Sequence, residues 1–152
     1  MGNHRLFIGL AALLPALFTT TGCSQGVNWR KFAYDADDIA GDARGQLVFV
    51  YLRHWAVPAC TRFEEDVLKN AAVLEQTKSM YCVVINFSAD RDLAEGWGIG
   101  EPPGVVFMTS GGEVLRVVNG FKSAPELLEA IAEARALLAN PAARRNATTT
   151  AP

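Results

Sequence analysis

Two runs in the chain are apolar at almost every position: residues 47–52 (LVFVYL) and 81–87 (YCVVINF). A strand with one wet face alternates apolar and polar residues, whereas a strand covered on both faces does not. The two runs therefore demand covering helices on both sides of a sheet. Between them, from about Ala59, Phe63, Val67, Leu68 and Ala71 recur at helical spacing, and Glu64, Glu65 and Asp66 crowd the first turn. Val73 and Leu74 belong to a second helical stretch. Strand, helix and buried strand predict a right-handed parallel crossover.

The rest of the chain extends that unit. Residues 29–43 (WRKFAYDADDIAGDA) read as partly helical, and residues 90–97 as a short helix or turn. Residues 105–108 form a third strand, and Ser110-Gly111-Gly112-Glu113 is a hairpin turn, because glycine supplies the positive φ such turns need. Residues 114–118 are the return strand. Ser123, Pro125 and Glu126 open a last helix with a capping box, Leu127, Leu128, Ile131 and Leu138 stripe it, and Asn140-Pro141 ends it. The predicted class is α/β, a central mixed sheet with helices on both faces.

The N-terminus reads as an address. Residues 1–5 are short and basic, and residues 6–18 (LFIGLAALLPALF) are thirteen nearly unbroken apolar residues. That is shorter than the roughly 20 residues of a spanning helix and suits a secretory signal. Residues 19–23 (TTTGC) follow, and small residues ending in Gly22-Cys23 resemble the lipobox of bacterial lipoproteins, with Thr20 where that family usually has leucine. The resemblance implies that residues 1–22 are removed and that Cys23 carries a diacylglycerol anchor. The domain would then sit in the cell envelope, held to a membrane by its N-terminal lipid and facing the periplasm or exterior, where disulfides persist. An ordinary cleaved signal and a buried N-terminal helix are the other readings. Residues 23–28 serve as a tether, residues 29–139 as the folded body, and residues 140–152 (NPAARRNATTTAP) as a disordered tail.

Composition excludes several classes. Fourteen basic and sixteen acidic residues give a net charge of −2, so nothing favours nucleic acid as a partner. Cysteines at 23, 60 and 82 are too few for a disulfide scaffold, and with only His4 and His54 beside them no spacing suits zinc. Neither a metal nor a cofactor is expected.

Three segments in order are similar to the thioredoxin-like family. Residues 55–64 (WAVPACTRFE) follow a buried strand and open a helix, resembling the family's W-C-x-x-C-K-x-[FM]-E segment, especially in the periplasmic thiol-disulfide interchange reductase domain. Residues 67–73 (VLKNAAV) resemble that subgroup's continuation, and residues 97–107 (WGIGEPPGVVF) its Y-G-[IV]-x-G-x-P-T-x-x-x-F segment. The resemblance covers roughly residues 29–138. It implies a thioredoxin-like fold and a cis Pro103 beside the active-site loop, where a backbone edge is offered to an extended substrate. Pro102 supplies a carbonyl there but no N–H, and Gly104, in place of the usual threonine, opens space.

The departure falls on the chemistry. Cys60 matches the family's second, resolving cysteine; the first falls on Val57, or on Ala56 if Trp55 is kept aligned, and the family's buried acid falls near Tyr51. A dithiol enzyme needs one thiol to attack and another to resolve. Cys60 therefore reads as an inert buried thiol, as a reactive one, or as half of a disulfide, with Glu64, Glu65 and Asp66 opposing a thiolate and Arg53 and Arg62 offsetting them. A bond to Cys82 is not expected, since the two lie at opposite ends of neighbouring strands, four or more residues of about 3.3 Å apart, and a bridge needs Cα atoms within about 7 Å. His54 reads as a proton shuttle or an exposed loop residue, and Trp55 and Trp97 as groove or core aromatics. The expectation is an envelope module that binds a protein or peptide at a groove of Trp55, Pro102 and Pro103. The alternative is a one-cysteine thiol-disulfide oxidoreductase using Cys60 as its catalytic residue.

Overall fold

The computed structural model describes residues 26–31 and 36–149; Cys23 and the signal segment lie outside them. Five strands form one mixed sheet: β1 (Trp29–Lys31), β2 (Val48–Arg53), β3 (Tyr81–Asn86), β4 (Gly104–Met108) and β5 (Val114–Asn119), in the order β1-β3-β2-β4-β5. β2 runs parallel to β3, which also pairs in parallel with β1. β4 is antiparallel to β2 and to β5, the latter across the predicted hairpin, where Gly112 takes φ 84°.

Unbroken apolar runs serve two cores at once. Phe49, Tyr51, Cys82, Val84, Val105 and Phe107 point to one face, and Val48, Val50, Leu52, Val83, Ile85 and Val106 to the other. The first face is covered by α2 (Pro58–Phe63), the π-helical segment Glu64–Leu68 that continues it, α3 (Ala71–Thr77) and α5 (Ala124–Ala139), through Phe63, Val67, Leu68, Val73, Leu127 and Ile131. The second is covered by α1 (Ala36–Ala43) and α4 (Arg91–Gly96), through Ile39, Ala43 and Ala94. The π-helical segment puts Phe63, Val67 and Leu68 on the same core. Among the described residues no helix is long and apolar enough to cross a membrane.

Helix ends follow local chemistry. Asn70 caps α3, its Oδ1 accepting from the N–H groups of Ala72 (3.0 Å) and Val73 (3.4 Å). At α5 the Glu126 carboxylate accepts from the Ser123 N–H at 2.9 Å and from its hydroxyl at 2.7 Å, which holds the Glu126 carboxyl below the usual range.

Residues 29–43 are helical in part, as expected, through α1; ahead of it Trp29–Lys31 adds a strand, where Trp29 stacks on Phe49 and Tyr51 at 5.8 Å from each and β3 offers the backbone partner. One expectation is corrected: the chain beyond Asn140 is not without structure, since α6 (Pro141–Thr149) follows. Asn140 Oδ1 accepts from the N–H groups of Ala142 and Ala143, both at 3.1 Å, Pro141 suits the first helical position, and Arg144 pairs with Glu113 at 3.1 Å.

Candidate functional site

Across the sheet Leu52 pairs with Gly104, Gly104 with Asn119, and Arg53 with Asn86. The segments that leave these residues, 54–57, 87–90, 101–103 and 120–123, therefore gather at one end of the sheet. The side-chain amide of Asn119 donates to the Gly98 carbonyl at 3.1 Å and ties the approach to Pro103 onto β5.

Cys60 is the third residue of α2 and is 1% exposed. Its Sγ accepts the backbone N–H of His54 at 3.4 Å, and its own N–H donates to the Val57 carbonyl at 2.9 Å. Val57 is the helix cap, one turn ahead of the thiol, with Pro58 at the first helical position. Ala56 lies outside that turn, its N–H donating to His54 Nδ1 at 3.2 Å. The position facing Cys60 across the first turn is thus Val57. His54 meets Cys60 through its backbone; its ring stacks on Trp55 (centroids 5.9 Å, 16° between planes).

Tyr51 lies where the resemblance would place the family's buried acid. Its buried hydroxyl is 3.4 Å from the Cys60 carbonyl and 3.2 Å from Glu64 Oε1, which Arg53 Nε also approaches at 3.2 Å. Burial holds the phenol far above its ordinary range, and Cys60 and Glu64 push the same way, so Tyr51 stays a neutral donor. The acidic first turn is also rearranged. The helix starts at Pro58, the acids stand on the π-helical segment, and two are engaged: Glu64 by Tyr51 and Arg53, Glu65 by Lys69 at 2.6 Å.

Pro102–Pro103 is a cis peptide bond, with Pro103 buried and Pro102 partly exposed. His54, Val57, Phe87, Arg91, Gly100 and Pro102 line a groove of about 430 Å³. Trp55 is 79% exposed and opens onto a neighbouring cleft of about 240 Å³ with Arg53, Ile85 and Asn86. Trp97 packs against the second core instead. The space beside Gly104 is not open: a Cβ there would stand 2.6 Å from Ile99 Cγ2, so Ile99 has taken the room a threonine needs.

Cys82 is buried at the other end of the sheet, opposite Phe49, with Sγ 3.8 Å from the Thr77 carbonyl. Burial pushes its thiol up to about 12 against a small opposing effect of Arg30. Both described cysteines are free thiols. Among the described residues no three His, Cys, Asp or Glu side chains cluster to hold a metal. Sequence reasoning missed Phe121, an apolar residue in the turn after β5, which is 43% exposed and meets Phe63 edge-on at 6.1 Å. It named Glu64 only as a charge, because a contact to Tyr51 thirteen residues away leaves no local pattern.

Neither a family model nor a curated protein matches the chain. Solved structures do. A candidate disulphide isomerase from Bacteroides thetaiotaomicron shares 22% identity with a TM-score of 0.62, over 72% of this chain and 93% of its own. A thioredoxin from Thermus thermophilus shares 19% with a TM-score of 0.59, over 72% and 88%. The oxidoreductase DsbH shares 12% with a TM-score of 0.56, over 86% and 95%. The chain has a thioredoxin-like fold. At these identities the likeness concerns the fold, of the kind thiol-disulfide oxidoreductases use. Within this thioredoxin-like fold the first turn of α2 holds one thiol, which can form a mixed disulfide but has, among the described residues, no second thiol beside it to resolve one.

Proposed function

We propose that this chain is a lipid-anchored binding module of the cell envelope, carrying no dithiol chemistry, which holds an extended segment of an envelope protein or peptide against the groove beside Pro102 and Pro103. One observation carries it: Cys60 is 1% exposed and capped by the His54 N–H, while the neighbouring Trp55 is 79% exposed. The end of the sheet that would do exchange chemistry thus hides its sulfur and offers an apolar ring. The Pro102 carbonyl is an acceptor for the backbone of an extended chain, and an exposed aromatic gives an anchor. The anchor to the membrane is Cys23, on the strength of the signal segment.

The test is turnover of a reporter protein disulfide by wild type and by Cys60→Ala with the same external reductant. Neither should turn over, and Cys60→Ala should cost about 1 kcal/mol of stability through lost packing. Many turnovers by wild type and none by the variant would replace this reading with the one-cysteine oxidoreductase. For the anchor, Cys23→Ser should abolish labelling by a fatty acid; unchanged membrane retention of that variant would refute lipidation.

A further inference from the structure

We propose that Arg62 and Phe121 form a subsite for a carboxylate carried next to an apolar residue on the bound segment, an inference that rests on the binding reading above. Phe121 follows β5 at the sheet end where residues 54–57 and 101–103 emerge, so it stands at the same end of the sheet as the groove. Phe63 holds the Phe121 ring edge-on at 82° between planes, and the Arg62 guanidinium sits 5.8 Å from the centre of that ring. An aromatic face fixes a guanidinium without using its N–H groups, which leaves the fork free for a bidentate acceptor.

The other cations at this end are engaged. Arg53 pairs with Glu64 at 3.2 Å, Arg91 with Glu95 at 3.8 Å and with the Phe87 ring, and Lys122 with Glu126 at 4.0 Å. Arg62, exposed, has no carboxylate partner among the described residues. Asp66 stands at i+4, the usual spacing for such a pair, but the π-helical segment beginning at Glu64 breaks the α-helical spacing on which those pairs rely. The groove itself carries Glu101, exposed beside Pro102, and an Arg91 already paired with Glu95, so the cation left for a carboxylate is Arg62 at the Phe121 end.

The experiment selects randomised eight-residue peptides against the full chain in detergent and, in parallel, against Arg62→Gln and Trp55→Ala. One library is displayed with its C-terminus free and one with it blocked. Wild type should enrich Asp or Glu beside an apolar residue about threefold to fivefold, the scale of one partly exposed ion pair, and Arg62→Gln should lose that preference while still enriching apolar residues. Enrichment confined to the free-terminus library, and lost with Arg62→Gln, would also support the subsite and assign the carboxylate to a chain end. Enriched peptides without an acidic preference, or with one that survives in Arg62→Gln, would overturn the subsite and leave the binding module standing. No enrichment over Trp55→Ala in either library would remove the binding reading and this one with it.

Discussion

The backbone N–H of His54 lies 3.4 Å from the sulfur of Cys60 and covers it with main chain rather than with a side chain. A covered thiol must be uncovered before it reacts, so its chemistry is governed by opening of the loop ahead of α2.

Iodoacetamide should accordingly leave both Cys60 and Cys82 unmodified in the folded chain over the minutes in which it alkylates both in urea. Mass spectrometry of peptides from timed samples reads this directly. Fast alkylation of Cys60 in the native protein, with Cys82 protected, would contradict it.

Restoring a dithiol should work at one position only. Val57→Cys places a thiol one helical turn ahead of Cys60, and this variant should gain turnover of a protein disulfide. Ala56→Cys places it outside that turn and should gain none. The comparison is initial rate under the same reductant, and equal rates would mean that the loop rearranges.

Tyr51→Phe should cost about 1 kcal/mol, because it removes a buried hydroxyl shared between the Cys60 carbonyl and Glu64 while keeping the ring. Arg53 still neutralises Glu64 in that variant. Urea unfolding of the two proteins at neutral pH measures it, and a loss above about 3 kcal/mol would show that the hydroxyl does more than one hydrogen bond's work.

How much of this the sequence carried depends on how local each signal is. Residues 47–52 and 81–87 are unbroken apolar runs, so β2 and β3 were legible, as was α5 from Ser123 and Glu126. Trp29–Lys31 carries no pattern of its own; it is a strand because β3 pairs with it. The helix after Asn140 was hidden by an Ala/Thr/Pro composition that suggests a tail, although Asn140-Pro141 is a good helix start. At the site, aligned motifs gave the single thiol and left its missing partner at Val57 or Ala56; the helix start at Pro58, with Val57 as its cap, is what separates the two. The exposure of Phe121, the shared hydroxyl of Tyr51 and the side chain filling the space beside Gly104 are tertiary facts between residues far apart in sequence.

Alkali should destabilise the fold partly through Cys82. Its thiol is raised from 9.0 to about 12, so the stabilisation is complete below 9 and is lost as pH climbs toward 12, because the unfolded chain releases the proton first. Between pH 8 and pH 10 this amounts to about 1.4 kcal/mol. Cys82→Val should flatten the fall by that amount in urea titrations at the two pH values; an unchanged slope would assign the loss to other groups, Tyr51 first.

Gly104→Ala should destabilise by about 1–3 kcal/mol, as overpacking does in a filled core, because the new methyl meets Ile99 at 2.6 Å. Ile99→Val removes one of the colliding atoms, and the double variant should recover part of the loss. Strict additivity in thermal unfolding of the four proteins would mean that the two sites do not touch.

The Asn119 amide bound to the Gly98 carbonyl has a bearing on recognition. It joins the stretch before Pro103 to the strand that leads to Phe121, so on the binding reading proposed above the two walls are tied to each other rather than hanging as separate loops. A segment lying across both walls would order little of the protein that is not ordered already. The entropy given up on binding then falls mainly on the partner, which favours partners that are themselves stiff or already extended.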